Sequence, residues 1–281
     1  MVNFNGSLVA KDSNYLNHEN RGLRYGDSLF ESIRVVNNHI YFLEEHYLRL
    51  MASMRILRME IPMNFTMEFL EAEILKTIAA KPSVAAQRIR VTVFRKEGGL
   101  YLPDNNEISY CIETKELKDV FFTITDKTYE VELFKDFFIN KDMLSNLKTN
   151  NKVLHVVGSV FAKENGYDNC LLLNNQKQVV EALNGNLFLV SGTKIKTPPL
   201  NDGCLNGVLR KKLIAILSKL DAFQIVEESI SPFELQKADE LFITNSIMGI
   251  VPIKKYRKKL YSTKTSLELL GKLNAAVRLQ V

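Results

Sequence analysis

Only three cysteines, Cys111, Cys170 and Cys204, occur in the 281 residues. Their number is odd and no CxxC spacing links them, so neither a disulfide framework nor a cysteine zinc site is expected, and a reducing compartment fits best. Long apolar runs are also missing: no stretch approaches the roughly 20 residues needed to cross a bilayer, and Val2-Asn3-Phe4-Asn5-Gly6 opens without an apolar signal core. A cytoplasmic protein without membrane contact is the expectation. No sign of charge dominates, since 37 Lys and Arg face 32 Asp and Glu for a formal +5. That excess is too mild to demand a polyanionic partner. The densest basic run, Lys254-Lys255-Tyr256-Arg257-Lys258-Lys259, reads as a solvated turn or strand edge, so nucleic-acid binding is not expected. Repeats and low-complexity tracts are absent too, and 46% hydrophobic with 25% charged residues is the composition of an ordinary globular enzyme-sized chain.

What is present alternates between strand and helix patterns. Residues 28–36 and 39–42 read as a hairpin turning at Asn37-Asn38, preceded by a strand-forming lead from Arg21 to Asp27. Tyr47, Leu50, Met51 and Met54 recur at helical spacing from Leu43 to about Met59, and a second helix runs from about Thr66 to Ala80. Strands are predicted near 86–95 and 108–113. The charged, aperiodic stretch 114–119 suggests a boundary between a smaller N-terminal α+β domain, 1–116, and a larger C-terminal α/β domain, 117–281. In the latter, Val153, Val156, Val157, Val160 and Phe161 mark the apolar face of a helix stopped by Gly166. Strands at 168–174, 178–183 and 186–191 follow, then a turn at Thr197-Pro198-Pro199 and a helix from about Gly207 carrying Leu209, Leu213, Ile216, Leu217 and Leu220. Two buried strands, 239–245 and 249–254, and a last helix over 264–279 complete the chain.

Four groups of residues could carry chemistry. Lys148 precedes the apolar helix at 153, whose buried face would draw it inward, and a buried lysine has a depressed pKa and serves as a nucleophilic amine and proton shuttle. Glu181 ends the apolar Val179-Val180 run, where a carboxylate is expensive without a cationic partner. The bland alternative is a glutamate on the rim of a hairpin at Asn184-Gly185-Asn186. Gly207-Val208-Leu209-Arg210 opens a helix whose free N–H groups could cradle a phosphate. His46 and Arg49 stand side by side on one helix, where arginine can grip a phosphate bidentately or merely face solvent.

Taken in order, Arg21-Gly22-Leu23-Arg24-Tyr25-Gly26-Asp27, His46-x-x-Arg49-Leu50, Lys148-Thr149, Glu181 with Asn186-Leu187-Phe188, Thr197-Pro198-Pro199 and Asn206-Gly207-Val208-x-Arg210 resemble the class IV aminotransferases, the pyridoxal 5'-phosphate (PLP) enzymes of fold type IV, from about residue 3 to 256. The resemblance implies that fold in two domains, with Lys148 holding PLP as a Schiff base, Glu181 pairing with the pyridine nitrogen and Arg49 on the phosphate. Gly207, Val208, Leu209, Asn245 and Ser246 would complete the phosphate cup, and relatives of this fold are homodimers. Transaminases of the family carry threonine where this chain has Leu209. The Asn206 to Arg210 and Thr244 to Pro252 stretches resemble those of 4-amino-4-deoxychorismate lyases. Lys152, one helical turn beyond Lys148, would face a dicarboxylate. The resemblance thus points first to a lyase forming 4-aminobenzoate and pyruvate in folate precursor synthesis. A transaminase of branched-chain or D-amino acids is the alternative, and a non-catalytic binding protein of the same fold comes after both.

Overall fold

The computed structural model describes residues 1–80 and 84–279. Contacts divide the chain into two units, Met1–Val120 with Lys148–Asn151, and Phe121–Leu147 with Lys152–Val281.

In the first unit, β1 (Val2–Phe4) and β2 (Ser7–Val9) are followed by a short helix, α1 (Arg21–Tyr25). This corrects the strand lead read from the sequence. The Asn20 side chain accepts the Leu23 N–H at one end and Gly26 takes a left-handed φ of 64° at the other, so the segment closes into a turn of helix. The hairpin of β3 (Ser28–Val36) and β4 (His39–Ile40) turns through Asn37 and Asn38, both at positive φ, as a two-residue connection requires. Helix α2 (Leu43–Ile56) stops short of Met59 because Arg58 adopts a φ of 55°. Helix α3 (Met67–Ala79) starts on the Thr66 cap. With β5 (Ala86–Arg95) and β6 (Ile108–Glu116), the strands form an antiparallel sheet in the order β2-β1-β6-β5-β3-β4, with α2 packed on β3 and α3 on β6. Period-two alternation decides which side chains meet the helices: Leu29, Glu31 and Ile33 of β3 are buried, while Phe30 and Ser32 on the opposite face are half-buried.

The sequence assigns 148–151 to the C-terminal domain, but backbone pairing ties these residues to the first unit. Phe30 donates to the Lys148 carbonyl at 2.9 Å and Asn150 donates to the Ser28 carbonyl at 3.0 Å. Lys148 is therefore fixed beside the start of β3, and it is half-buried, not drawn inward by a following helix.

The second unit is built on β7 (Glu130–Ile139), α4 (Val153–Glu164), β8 (Asn169–Asn174), β9 (Val179–Ala182), β10 (Gly185–Ser191) and β11 (Lys194–Thr197). It continues through α5 (Val208–Leu217), β12 (Gln224–Glu227), α6 (Pro232–Lys237), β13 (Glu240–Asn245), β14 (Gly249–Ile253), β15 (Lys255–Tyr256), β16 (Lys259–Leu260) and α7 (Lys264–Arg278). All ten strands join one sheet in which β7 and β8, and β11 and β12, pair in parallel. Such pairs need a crossover, and α4 and α5 lie in those connections. The sheet is covered on both sides: Leu171 and Leu173 join one core with Leu187 and Ile243, while Cys170 and Leu172 join another with Phe134 and Val180. A strand buried on two faces reads as a continuous apolar run.

Helix α4 departs from the burial expected of it: of its apolar face Phe161 packs against Phe134, but the valines do not face the core. Val153, Val156 and Val160 are 76%, 59% and 51% exposed, and Gly158 and Ala162 face the protein instead. The approach is close enough that a Cβ on Gly158 would stand 2.6 Å from Leu183 Cδ2, so a side chain there fits only if Leu183 moves. The basic run at 254–259 forms the β15–β16 hairpin, where Lys255 pairs with Glu130 and Arg257 with Glu132.

Candidate active site

In the first unit a cationic cluster surrounds the Phe30 ring. Lys148 Nζ lies 4.5 Å and Arg90 Cζ 3.9 Å from its centroid. Arg90 is steadied by Asn150 Oδ1 at 2.9 Å and Thr92 Oγ1 at 3.2 Å, and Arg88, two residues earlier on the same face of β5, reaches only the Ser32 hydroxyl at 3.4 Å. Neither arginine has a carboxylate within ion-pair distance among the described residues. Burial lowers the Arg90 pKa, Glu113 opposes this, and the like charge of Arg88 adds to it.

On the other face of the sheet, beneath α2, a buried trio has formed. Glu31 Oε1 accepts from Arg49 Nε at 2.8 Å, Glu31 Oε2 accepts from Arg49 Nη2, and His46 Nδ1 lies 2.7 Å from Glu31 Oε2. His46 is 0% exposed and its Nε2 has no hydrogen-bond partner among the described residues. Burial would raise the Glu31 pKa, but the Arg49 and His46 contacts outweigh it and bring it down to about 2. His46 is lowered by burial, with Glu31 opposing and Arg49 and Lys148 adding to the shift. The exposed basic turn weighed for His46 and Arg49 does not occur. Sequence reasoning overlooked Glu31, although its signal was available: a carboxylate between Leu29 and Ile33 at an inward strand position needs a cation.

In the second unit, Glu181 on β9 is buried at 5% exposure. Its Oε2 accepts the Leu205 N–H at 2.8 Å, and its Oε1 lies 3.5 Å from His155 Nε2 on α4. Gly207 caps α5 without any side-chain cap, and the buried Val208 and Leu209 side chains leave only backbone N–H groups at the helix start. A Cβ at 207 would stand 2.0 Å from Asn186 Oδ1, so glycine is required there by close approach. Arg210 turns away, to the Pro198 carbonyl and Glu227.

Two expected positions differ. The Asn245 side chain is spent on its own turn, accepting from Ile247 and Met248 N–H and donating to the Asn184 carbonyl. It shapes the loop that carries half-buried Ser246, and the neighbouring Thr244 Oγ1 is buried with no hydrogen-bond partner among the described residues. Lys152 is the N-cap of α4 and Lys148 precedes the helix, so the two do not share a helical face one turn apart. Lys148 and Arg49 thus belong to the first unit, and Glu181, Gly207, Val208, Leu209, Asn245, Ser246 and Lys152 to the second. No helix among the described residues is long and apolar enough to cross a membrane, and no group of three potential metal ligands occurs among them.

A protein of Methanocaldococcus jannaschii provisionally named a branched-chain-amino-acid aminotransferase is 29% identical over 280 residues, spanning 97% of this chain and 93% of its own. D-alanine aminotransferase of Staphylococcus epidermidis is 24% identical over 90% of this chain and 88% of its own. Among solved structures, a provisionally named 4-amino-4-deoxychorismate lyase of Legionella pneumophila superposes with a TM-score of 0.83 over 94% of this chain and 96% of its own, at 22% identity, a likeness of fold. The family model described as amino-transferase class IV matches residues 28–256, the span holding every side chain considered above. The chain belongs to the class IV amino-transferase family.

Proposed function

We propose that the chain is a PLP-dependent aminotransferase that moves the amino group of an amino acid onto a 2-oxo acid. The observation that carries this is Glu181. A buried carboxylate with no lysine or arginine partner among the described residues is costly unless a cation completes it, and a protonated pyridine nitrogen is such a cation. When bound, PLP supplies an electron sink for the bonds at the substrate's α-carbon.

The residues present fit that group. In the first unit, Lys148 would hold the cofactor's aldehyde and would move a proton at the substrate's α-carbon, and Arg49 would bind the phosphate. In the second, Glu181 would keep the ring nitrogen charged. The uncapped first turn of α5 at Gly207, Val208 and Leu209, with the Ser246 loop and the unpartnered Thr244 hydroxyl, offers phosphate donors. The aminotransferase names of the sequence relatives support this reading over the lyase expected from the local motifs.

One observation favours 4-amino-4-deoxychorismate lyase as the second reading. Arg90, which shares the Phe30 ring with Lys148, and Arg88 on the same face of β5, neither with a carboxylate at ion-pair distance among the described residues, suit a substrate with two carboxylates, and Leu209 brings no hydroxyl. The test is to incubate the PLP-loaded protein with leucine, D-alanine or glutamate and a 2-oxo acid, and separately with aminodeoxychorismate. Amino transfer without 4-aminobenzoate is expected, whereas 4-aminobenzoate with pyruvate would replace the proposal by the lyase. A protein that takes up no PLP would leave only the binding-protein reading. We also propose a homodimer in the cytoplasm, the dimer supported by the exposed valines of α4.

A further inference from the structure

Buried ion pairs are poor stabilisers, because desolvation of both charges offsets most of their attraction, and an apolar cluster of the same volume often does as well. The trio beneath α2 is therefore an expensive way to fill a core. Glu31 occupies an inward position of β3 between Leu29 and Ile33, where an aliphatic side chain would pack without desolvation. It spends both carboxylate oxygens: Oε1 on Arg49 Nε, and Oε2 on Arg49 Nη2 and His46 Nδ1. Two parallel bonds from the guanidinium to one carboxylate fix its plane, since a single bond would leave it free to turn. The bond to His46 Nδ1 likewise fixes the ring, and with a neutral imidazole it makes Nδ1 the protonated nitrogen and Nε2 the bare one.

We propose that Glu31 is a positioning residue for the cofactor phosphate, acting through Arg49 and His46. This rests on the reading of Arg49 as a phosphate ligand. Arginine has about 2 kcal/mol of side-chain rotamer entropy to lose on binding, and a guanidinium already immobilised loses less when the phosphate arrives. Neutralising part of the Arg49 charge is the cost of that arrangement, and orientation is the gain.

The test separates phosphate recognition from everything else by comparing PLP with pyridoxal, which has the same ring and aldehyde but no phosphate. The readout is the ratio of their dissociation constants, measured by absorbance titration of the cofactor-free chain. Wild type should prefer PLP strongly. Glu31→Gln, which places an amide N–H against Arg49, should cut that preference roughly ten- to hundred-fold, in line with the loss of charged hydrogen bonds, while pyridoxal affinity stays within about twofold. Glu31→Asp keeps the charge and should restore part of the preference. Arg49→Lys should lower it as well, and the double variant Glu31→Gln/Arg49→Lys should lose little more than the worse single change, because the two residues act as one unit. If Glu31→Gln weakens PLP and pyridoxal equally, the residue is only structural and the proposal is overturned. If Glu31→Gln does not fold, a Glu31→Asp variant that weakens PLP and pyridoxal equally overturns it. A wild-type chain that binds neither compound sinks the cofactor reading itself and this proposal with it.

Discussion

Acid should dismantle the Glu31 trio in two stages, and the size of the effect follows from its geometry. Glu31 titrates at about 2 in the folded chain against 4.5 for the free side chain, because the bidentate Arg49 contact and His46 stabilise the carboxylate against the penalty of burial. At about 1.36 kcal/mol per pKa unit, the ionised form of Glu31 stabilises the fold by about 3 kcal/mol relative to its protonated form at neutral pH. Its folded pKa is depressed, so this contribution is complete above the unfolded value and lost as pH falls, with about 2 kcal/mol gone by pH 3. His46 acts in the same direction in a higher window. Its folded pKa lies below 6.5, so the unfolded chain takes up the proton first as pH drops through 6.5 and stability falls with it. The assay is a carbon-13 NMR titration of the cofactor-free protein, with the Glu31 carboxyl identified by its loss in Glu31→Gln, alongside urea unfolding between pH 8 and 3. A Glu31 signal that titrates in the ordinary range near 4.5 would refute the reasoning, whatever the unfolding curves show.

Three further outcomes are expected. Glu181→Gln keeps an acceptor for the Leu205 N–H but removes the charge, so PLP should stay bound while turnover falls by orders of magnitude; a kcat within about twofold of wild type, smaller than any such electrostatic loss, would show that Glu181 does not serve the ring nitrogen. Gly207→Ala must displace the buried Asn186 amide, which lies 2.0 Å from the new Cβ and is bonded to the Leu205 carbonyl. A loss of about 1–3 kcal/mol in thermal or urea unfolding and weaker PLP binding are expected, and unchanged values for both would contradict the close approach. Val156→Asp with Val160→Asp places charges on the outward face of α4. Light scattering should then report monomer where the wild type is expected to report dimer, whereas an unaltered mass would exclude that face from the interface.

Local pattern was enough to determine much of this molecule. Apolar spacing located α2, α3 and α5, the β-rich hairpin at Asn37-Asn38 located β3, and the order of Lys148, Glu181 and Gly207 marked the candidate chemistry, because each depends on residues near one another in the chain. Several strands were left unread, among them β7, β11 and β12, which carry their apolar positions beside charged ones such as Glu130, Lys135 and Lys194 and pair with strands beyond an intervening helix. Tertiary structure alone decided the rest. Lys148 joins the first unit through its own bond to Phe30 and that of Asn150 to Ser28, both well over a hundred residues away. Glu31 finds Arg49 and His46 only once α2 lies on β3. The valines of α4 look like a core stripe in one dimension, yet Gly158 and Ala162 are the buried positions of the helix, with Gly158 close against Leu183. A periodic pattern states that one side of an element is apolar, while the surface that covers that side is settled only by packing.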